Sequence, residues 1–156
     1  MIEIQRILCP IDFSDYSRRA LDHAVAMARW YKAAITAVHV DSSIEIVGFP
    51  APMVGVPATW QFSDRAELLT NLQRFVEAES APGVPIEAVV RDGPAVTGIL
   101  EQAAATRADL VVMGTHGNSG FEHLVLGSVT EKVLRKARCP VLTVPRAQPE
   151  AVPEIT

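Results

Sequence analysis

The sequence predicts an α/β fold built on a parallel sheet, because short apolar segments alternate with segments of helical periodicity along the chain. Five segments rich in Val, Ile, Leu and Ala read as strands, and four with apolar residues every three or four positions read as helices. This alternation favours an open five-stranded sheet with right-handed crossovers and helices on both faces, a Rossmann-like architecture. The 156 residues, 49% of them hydrophobic, suffice for one domain.

The first half of the chain contains two predicted strands and two predicted helices. The first strand covers residues 6–11, and the helix after it begins at Ser14, whose side chain suits an N-cap. The second strand covers residues 34–40 and the second helix residues 63–79. The segment 41–62 between them holds three prolines and two glycines, yet it is apolar. Packing or contact with a partner chain is favoured over a lid on a ligand, and Asp41 is interpreted as the first loop residue.

The second half repeats the strand–helix pattern twice and ends on a further strand. Strands are predicted over residues 86–90, 110–113 and 140–144. Helical periodicity lies between them, first on Val96, Ile99 and Leu100 and then from Ser128 to about residue 137. Residues 147–156 contain two prolines and are interpreted as a loose tail, so the predicted domain covers residues 1–146.

The stretch that joins the fourth strand to the last helix is rich in glycine. Residues 111–130 read VVMGTHGNSGFEHLVLGSVT and hold four of the nine glycines in the chain. Unpaired N–H groups at a helix N-terminus attract anions, so a glycine-rich strand–helix link can hold a phosphate. Ser128 is the predicted N-cap, with Glu131 completing a capping box. The alternative is that these glycines serve turns and a cap only.

Two common phosphate motifs do not match. The P-loop requires a lysine before its serine or threonine, and no lysine precedes Ser128. The dinucleotide fingerprint requires glycines directly after the first strand, where this chain has CPIDFS. An NAD-type role for Asp41 therefore lacks a phosphate site to accompany it.

A third pattern does match. Gly114, Gly117 and the pair Gly127-Ser128 are separated by two and nine residues. This spacing resembles the ATP-binding signature of the universal stress protein family. The resemblance extends to residues 9–14, 38–40 and 139–145 and so covers nearly the whole chain. It implies strand order 3-2-1-4-5, as in adenine nucleotide alpha hydrolase-like folds, and a ligand crevice between the first and fourth strands.

The resemblance also implies a role for each residue at the crevice. Phosphates would meet the glycine loop and the helix start, and Gly114 would let the chain leave its strand beside the ribose. Asp12 would contact ribose or adenine, although a second helix-capping residue is the alternative. The base would meet the backbone of Val40 and two apolar side chains. The implied nucleotide-contacting residues are Ile11, Asp12, Val40, Met113, Gly114, Gly117, Gly127, Ser128, Val129 and Thr130.

These roles predict an ATP-binding module whose output is a conformational or partner-binding change, with Mg²⁺ or Mn²⁺ bridged through the phosphates. A slow ATPase or nucleotidyl-transferring enzyme and a ligand-free dimerisation module are the alternatives. No lysine or arginine occurs between Arg107 and Lys132, and Glu122 beside His123 is the one candidate to position water, so weak turnover is expected. His39 is interpreted as structural, while His116 and His123 either approach phosphate or are exposed.

Composition bounds the partners and the compartment. The net charge of −4 gives no indication of nucleic-acid binding, and no apolar run is long enough to span a bilayer. Cys9 and Cys139 are isolated, which suits a reducing compartment, so the cytoplasm is the expected location. The strand at residues 141–144 would lie at the sheet edge, and the family resemblance implies a homodimer that pairs through it.

Overall fold

The computed structural model describes residues 3–42, 64–117 and 126–146, and it forms a five-stranded sheet with four helices in this part of the chain. The strands are β1 (Arg6–Pro10), β2 (Ala34–Asp41), β3 (Ile86–Asp92), β4 (Leu110–Gly114) and β5 (Val141–Val144). The helices are α1 (Asp15–Tyr31), α2 (Arg65–Glu79), α3 (Ala95–Thr106) and α4 (Ser128–Lys136).

The sheet is parallel throughout and its order is β3-β2-β1-β4-β5, which confirms the predicted fold class and strand order. In register, Ile7 of β1 lies between Ile35 of β2 and Leu110 of β4. The chain order reverses at β1, because β2 lies on one side of it and β4 on the other. A crevice therefore opens at the carboxyl ends of β1 and β4, where ligands bind in open α/β sheets.

Side chains from the two faces of the sheet form two separate cores. Ile7 and Cys9 of β1 pack on one face with α1 and α2, while Leu8 packs on the other with α3 and α4. Alternation of neighbouring side chains between faces follows from the pleat of a strand. Burial of both faces explains why the central strands are continuously apolar. It also raises the pKa of the Cys9 thiol far above its ordinary value.

Two predicted helix caps had different outcomes. Ser14 is the N-cap of α1, and its hydroxyl accepts from the Ser17 backbone N–H at 3.2 Å. At α4 the predicted capping box is wrong, because Gly127 occupies the N-cap position with extended backbone and Ser128 is the first helical residue. The Glu131 carboxylate pairs instead with Arg135, one turn along the helix, at 2.9 Å.

Several element boundaries differ from the predictions by one or two residues, and three of them involve aspartates. Asp41 is the last residue of β2 and is paired in register with Asp92 of β3, so its interpretation as a loop residue is wrong. β3 is correspondingly two residues longer than predicted. α2 begins at Arg65 after Asp64, whose carboxylate caps the Ala66 N–H at 2.9 Å. Asp41 and Asp92 remain in strands because β2 and β3 pair with each other's backbone at these positions.

The Asp109 carboxylate forms several hydrogen bonds at the amino end of the sheet. Asp109, just before β4, accepts the backbone N–H groups of Gln5 and Arg6 at 3.0 and 2.9 Å and the Arg6 guanidinium at 3.1 Å. Burial alone would raise the pKa of Asp109, but these hydrogen bonds and the Arg6 charge outweigh it and lower the pKa below its ordinary value. Asp109 thus ties β4 to the start of β1.

A cluster of charged side chains joins α1 and α2. The Arg18 guanidinium contacts the Glu79 carboxylate at 2.6 Å. Burial, together with a hydrogen bond to Glu79 and its charge, raises the pKa of Asp22 to about 6. The same hydrogen bond with Asp22 and the contact with Arg18 lower the pKa of Glu79. Asp22 therefore keeps its proton further into the weakly acidic range than an ordinary aspartate does.

Two of the predicted features lie outside the described residues: the apolar segment, apart from its first two residues, and the tail 147–156. None of the helices in the described ranges is both long and apolar enough to cross a membrane.

Candidate functional site

A cavity of about 310 Å³ lies at the carboxyl end of the sheet, between the ends of β1 and β4. All ten residues predicted to contact a nucleotide line it. Seven further residues complete the wall. The full lining is Pro10, Ile11, Asp12, Ser17, Val38, His39, Val40, Ala95, Ile99, Met113, Gly114, His116, Gly117, Gly127, Ser128, Val129 and Thr130.

Asp12 supports the cap of α1, which was the alternative role predicted for it, and it also lines the cavity. Its Oδ1 accepts the backbone N–H of Ser14 at 3.0 Å and also accepts the Ser14 hydroxyl, so the carboxylate supports the cap of α1. Its Oδ2 faces Gly117 across the cavity mouth, close enough that a Cβ on residue 117 would collide with it. The turn after β1 and the glycine-rich loop therefore meet at this carboxylate.

Two hydrogen bonds close the base of the loop between β4 and α4. The Gly127 N–H donates to the Thr115 carbonyl at 2.7 Å, and the Thr130 hydroxyl donates to the Gly114 carbonyl at 2.8 Å. Thr130 therefore does not offer its proton to a ligand. The first turn of α4 is fixed at the cavity wall, with Ser128 exposed.

The glycines of the signature serve close backbone packing. A Cβ at Gly114 would lie 2.7 Å from the Tyr16 Cβ, so this glycine lets α1 approach the end of β4. A Cβ at Gly127 would lie 3.3 Å from the Thr115 carbonyl oxygen. Gly127 has a negative φ of −68°, so close contact within the loop, and not left-handed backbone, accounts for glycine here.

An apolar wall forms the side of the cavity away from the loop. Met113 belongs to the core shared with α3 and α4, while Ile11 belongs to the opposite core; both also reach the cavity. Val40 packs on α3, where a Cβ at Gly98 would come within 2.8 Å of its methyl groups. Val40 and Ile99 thus lie in a wall whose packing depends on Gly98 of α3.

Two histidines line the cavity. The Nδ1 of His39 lies 2.8 Å from the Ile11 carbonyl oxygen and must donate to it, since a carbonyl only accepts. This agrees with the structural interpretation of His39. His116 lies beside Gly117, with Nδ1 at 3.0 Å from the Thr115 hydroxyl and its ring 5.4 Å from that of Tyr16. His123 and Glu122 fall outside the described residues.

Sequence reasoning missed several lining residues. Ser17 is buried, and its hydroxyl donates to the Ser14 carbonyl at 3.0 Å. Its residue type therefore gives no sign of a ligand site, and only its position in the first turn of α1 places it near the cavity. Ala95 and Ile99 lie on α3, and this helix reaches the cavity because it packs against β2. Nothing in their residue types distinguishes them from ordinary helix residues.

The cavity offers backbone donors and no side-chain cation among its lining residues in the described part of the chain. Asp12 is its one acidic residue. Within the same ranges no group of three His, Cys, Asp or Glu side chains is arranged to hold a metal ion. A metal entering here would need oxygen ligands from elsewhere, which a polyphosphate supplies.

The family model of the universal stress protein family matches residues 3–145, and this chain belongs to that family. A universal stress protein of Methanocaldococcus jannaschii is 34% identical over 151 residues, covering 94% of this chain and 85% of the relative. One from Thermus aquaticus is 36% identical over 140 residues, covering 88% and 96%.

Solved structures share the fold. The hypothetical protein MJ0577 matches with a TM-score of 0.77 at 25% identity, covering 95% of this chain and all of its own. A universal stress protein in complex with cAMP matches at 0.66 with 24% identity, covering 93% of this chain and 99% of its own. A family protein from Arabidopsis thaliana with AMP bound matches at 0.61 with 20% identity, covering 96% and 97%.

Proposed function

We propose that this protein binds adenine nucleotides, ATP first among them, in the cavity at the carboxyl ends of β1 and β4. The observation that carries the proposal is the fixed N-terminus of α4 at the wall of a cavity that is otherwise mostly apolar. The first-turn N–H groups suit phosphate oxygens, and the apolar wall suits a base. The output is a change in shape or partner binding that serves a stress response.

Two structural neighbours support the ligand class. One is in complex with cAMP and the other has AMP bound. Both ligands contain adenine, which suits the apolar wall, and phosphate, which suits the α4 N-terminus. Both neighbours are less than 25% identical to this chain, so they share its fold and no more. Binding of an adenine nucleotide is therefore inferred from the chemistry of the residues that line the cavity.

In this proposal the phosphates lie against Gly117, Gly127 and the first turn of α4, the ribose near Asp12 and Gly114, and the base beside Val40, Ile11 and Met113. Mg²⁺ or Mn²⁺ accompanies the triphosphate, held by phosphate oxygens and water. The cavity contains no lysine or arginine among its described lining residues, so the metal and the backbone N–H groups compensate the phosphate charge.

The test has two parts. Mass spectrometry of small molecules released by denaturing the purified protein should detect an adenine nucleotide. Calorimetry with Mg²⁺ should show ATP binding, with weaker binding of GTP because backbone groups and apolar walls fix the position of the base. Absence of binding at millimolar ATP would refute the proposal.

The second candidate is a slow ATPase or nucleotidyl-transferring enzyme on the same scaffold, for which Asp12 and His116 at the cavity are the described titratable groups besides His39. No described residue is placed as a phosphate-facing side-chain cation, so we expect turnover well below about 1 s⁻¹. Single-turnover phosphate release compared with Glu122→Gln and His123→Ala decides between the two. Fast release that collapses in either variant identifies an enzyme.

We also propose that the protein is a cytoplasmic homodimer paired through β5. β5 is an edge strand and Leu142 on it is 37% exposed. Sedimentation at micromolar concentration should give a dimer, and Leu142→Glu should give a monomer. Leu134→Glu on α4, at a leucine of similar exposure, is the matched control and should remain dimeric. A wild-type monomer would refute the pairing.

A further inference from the structure

The turn between β1 and α1 contains a residue with unusual backbone geometry. Phe13 has a φ of 63°, in the left-handed region. In the described ranges two other non-glycine residues have a positive φ, Lys32 and Arg107, and both are helix C-caps, where this conformation is common. Phe13 precedes a helix instead. A bulky side chain in this region is strained, so the surroundings must enforce it.

Aromatic contacts hold the Phe13 ring. Its centroid lies 4.7 Å from that of His39 on β2 and 5.6 Å from that of Phe75 on α2, with the two phenyl planes at 86°. Edge-to-face pairs at this separation are favourable. The Arg18 guanidinium covers the Phe75 ring from 4.4 Å. The ring of Phe13 is therefore fixed between β2 and α2.

The backbone of the same residue separates Asp12 from Ser14. The hydrogen bond from the Ser14 N–H to the Asp12 carboxylate spans Phe13 at 3.0 Å. The conformation of residue 13 thus decides whether this bond closes and where Asp12 Oδ2 faces. In the structure that oxygen faces Gly117 at the cavity.

We propose that Phe13 is a positioning residue for the nucleotide site, and that Phe75, which does not line the cavity, acts on the site through it. The inference rests on the proposed nucleotide binding. The aromatic contacts hold the left-handed turn, and the turn holds the Asp12 carboxylate at the cavity mouth. Packing between α2 and the sheet is thereby linked to nucleotide affinity.

The decisive comparison is Phe13→Gly against Phe13→Ala, measured as ATP affinity by calorimetry. Both variants lose the ring, but only glycine adopts a left-handed backbone freely. If the turn must be left-handed to bind, the apparent affinity is the intrinsic affinity multiplied by the fraction of molecules in which the turn is left-handed. We expect a loss of about threefold for glycine and about tenfold for alanine. A purely structural role for the ring predicts equal losses or none.

Phe75→Leu supplies a second measurement that keeps the core apolar. It removes the edge-to-face contact and should weaken ATP binding by about threefold. Val25→Ala, in the same core but about two helical turns from Ser17 at the cavity, is the control for lost packing and should bind ATP like the wild type. Circular dichroism establishes that each variant is folded.

Equal ATP affinity of the two Phe13 variants, or wild-type affinity in Phe75→Leu, overturns the inference while the proposed function stands. A wild type that binds no nucleotide overturns both. If the Phe13 variants do not fold, the affinity of Phe75→Leu against that of Val25→Ala decides alone.

Discussion

The two ends of the sheet each place an aspartate beside β1, and the two carboxylates are used differently. Asp109 at the amino end binds two backbone N–H groups and the Arg6 guanidinium, and it joins β4 to β1. Asp12 at the carboxyl end binds Ser14 through one oxygen and presents the other to Gly117 and the cavity. The same residue type thus stabilises the fold at one end of the sheet and lines the candidate site at the other.

Glycine substitutions at the two ends should separate these roles most strongly. Gly127→Val directs a branched side chain at the Thr115 carbonyl, already 3.3 Å from a bare Cβ, and we expect ATP affinity to fall by about 100-fold, roughly 3 kcal/mol. Gly83→Ala, before β3 at the amino end, meets no atom within 4 Å but has a φ of +82°. It should lower the free energy of unfolding by about 1 kcal/mol and leave ATP affinity unchanged.

Calorimetry with ATP and urea unfolding, applied to both glycine variants, measure the two quantities. Gly127→Val should keep its circular dichroism spectrum. Normal ATP binding by this variant would show that the β4–α4 loop is not the phosphate site.

The aspartates themselves give the next largest effect. Asp109→Asn replaces an acceptor of the Arg6 guanidinium by an amide donor, so the free energy of unfolding at pH 7 should fall by about 1–2 kcal/mol with ATP affinity unchanged. Asp12→Asn should weaken ATP binding by about tenfold while stability changes by less than about 1 kcal/mol. If Asp109→Asn weakened ATP binding as much as Asp12→Asn, the division between the two ends would fail.

Acid unfolding sharpens the comparison at the amino end. The pKa of Asp109 is lowered in the folded protein, so its ionised form contributes stability above the ordinary pKa of about 3.9, and that contribution is lost as pH falls through the folded value. The stability difference between wild type and Asp109→Asn should therefore shrink from pH 7 to pH 3. Urea midpoints at both pH values measure it, and a constant difference would show that charge is not its cause.

The smallest effect is expected at Asp22, which lies along α1 between the two ends. Because folding raises its pKa to about 6, the folded protein retains a proton that the unfolded chain releases, and stability declines as pH rises from about 4 to 6. Asp22→Asn should flatten this decline and raise stability at pH 7 by less than about 0.5 kcal/mol, since exposed pairs are screened. Thermal melts from pH 4 to 7 test this, and an unchanged slope would contradict it.

The sequence predicts the architecture well because its signals are periodic. Alternating strands and helices predict the parallel sheet, and the glycine spacing leads to the loop at the cavity. The order of strands was supplied by family resemblance, since periodicity does not contain it. Polar strand ends were missed at Asp41 and Asp92, because pairing with a neighbouring strand holds them in the sheet.

The details of the cavity depend on tertiary contacts that no local pattern records. The capping box at Ser128 failed although its residue types are right, because Gly127 takes the cap position. Phe13 gives no local indication of left-handed backbone, since its conformation follows from contacts with β2 and α2. The position of Ala95 and Ile99 at the cavity wall likewise depends on the packing of Val40 against Gly98.

The two hydrogen bonds at the base of the β4–α4 loop also bear on how this protein can be re-engineered. They join Gly114 and Thr115 directly to Gly127 and Thr130, so they hold the first turn of α4 to the end of β4. Gly127 and Thr130 are therefore the residues to retain in any redesign of this loop, since the backbone N–H of one and the hydroxyl of the other hold α4 in place.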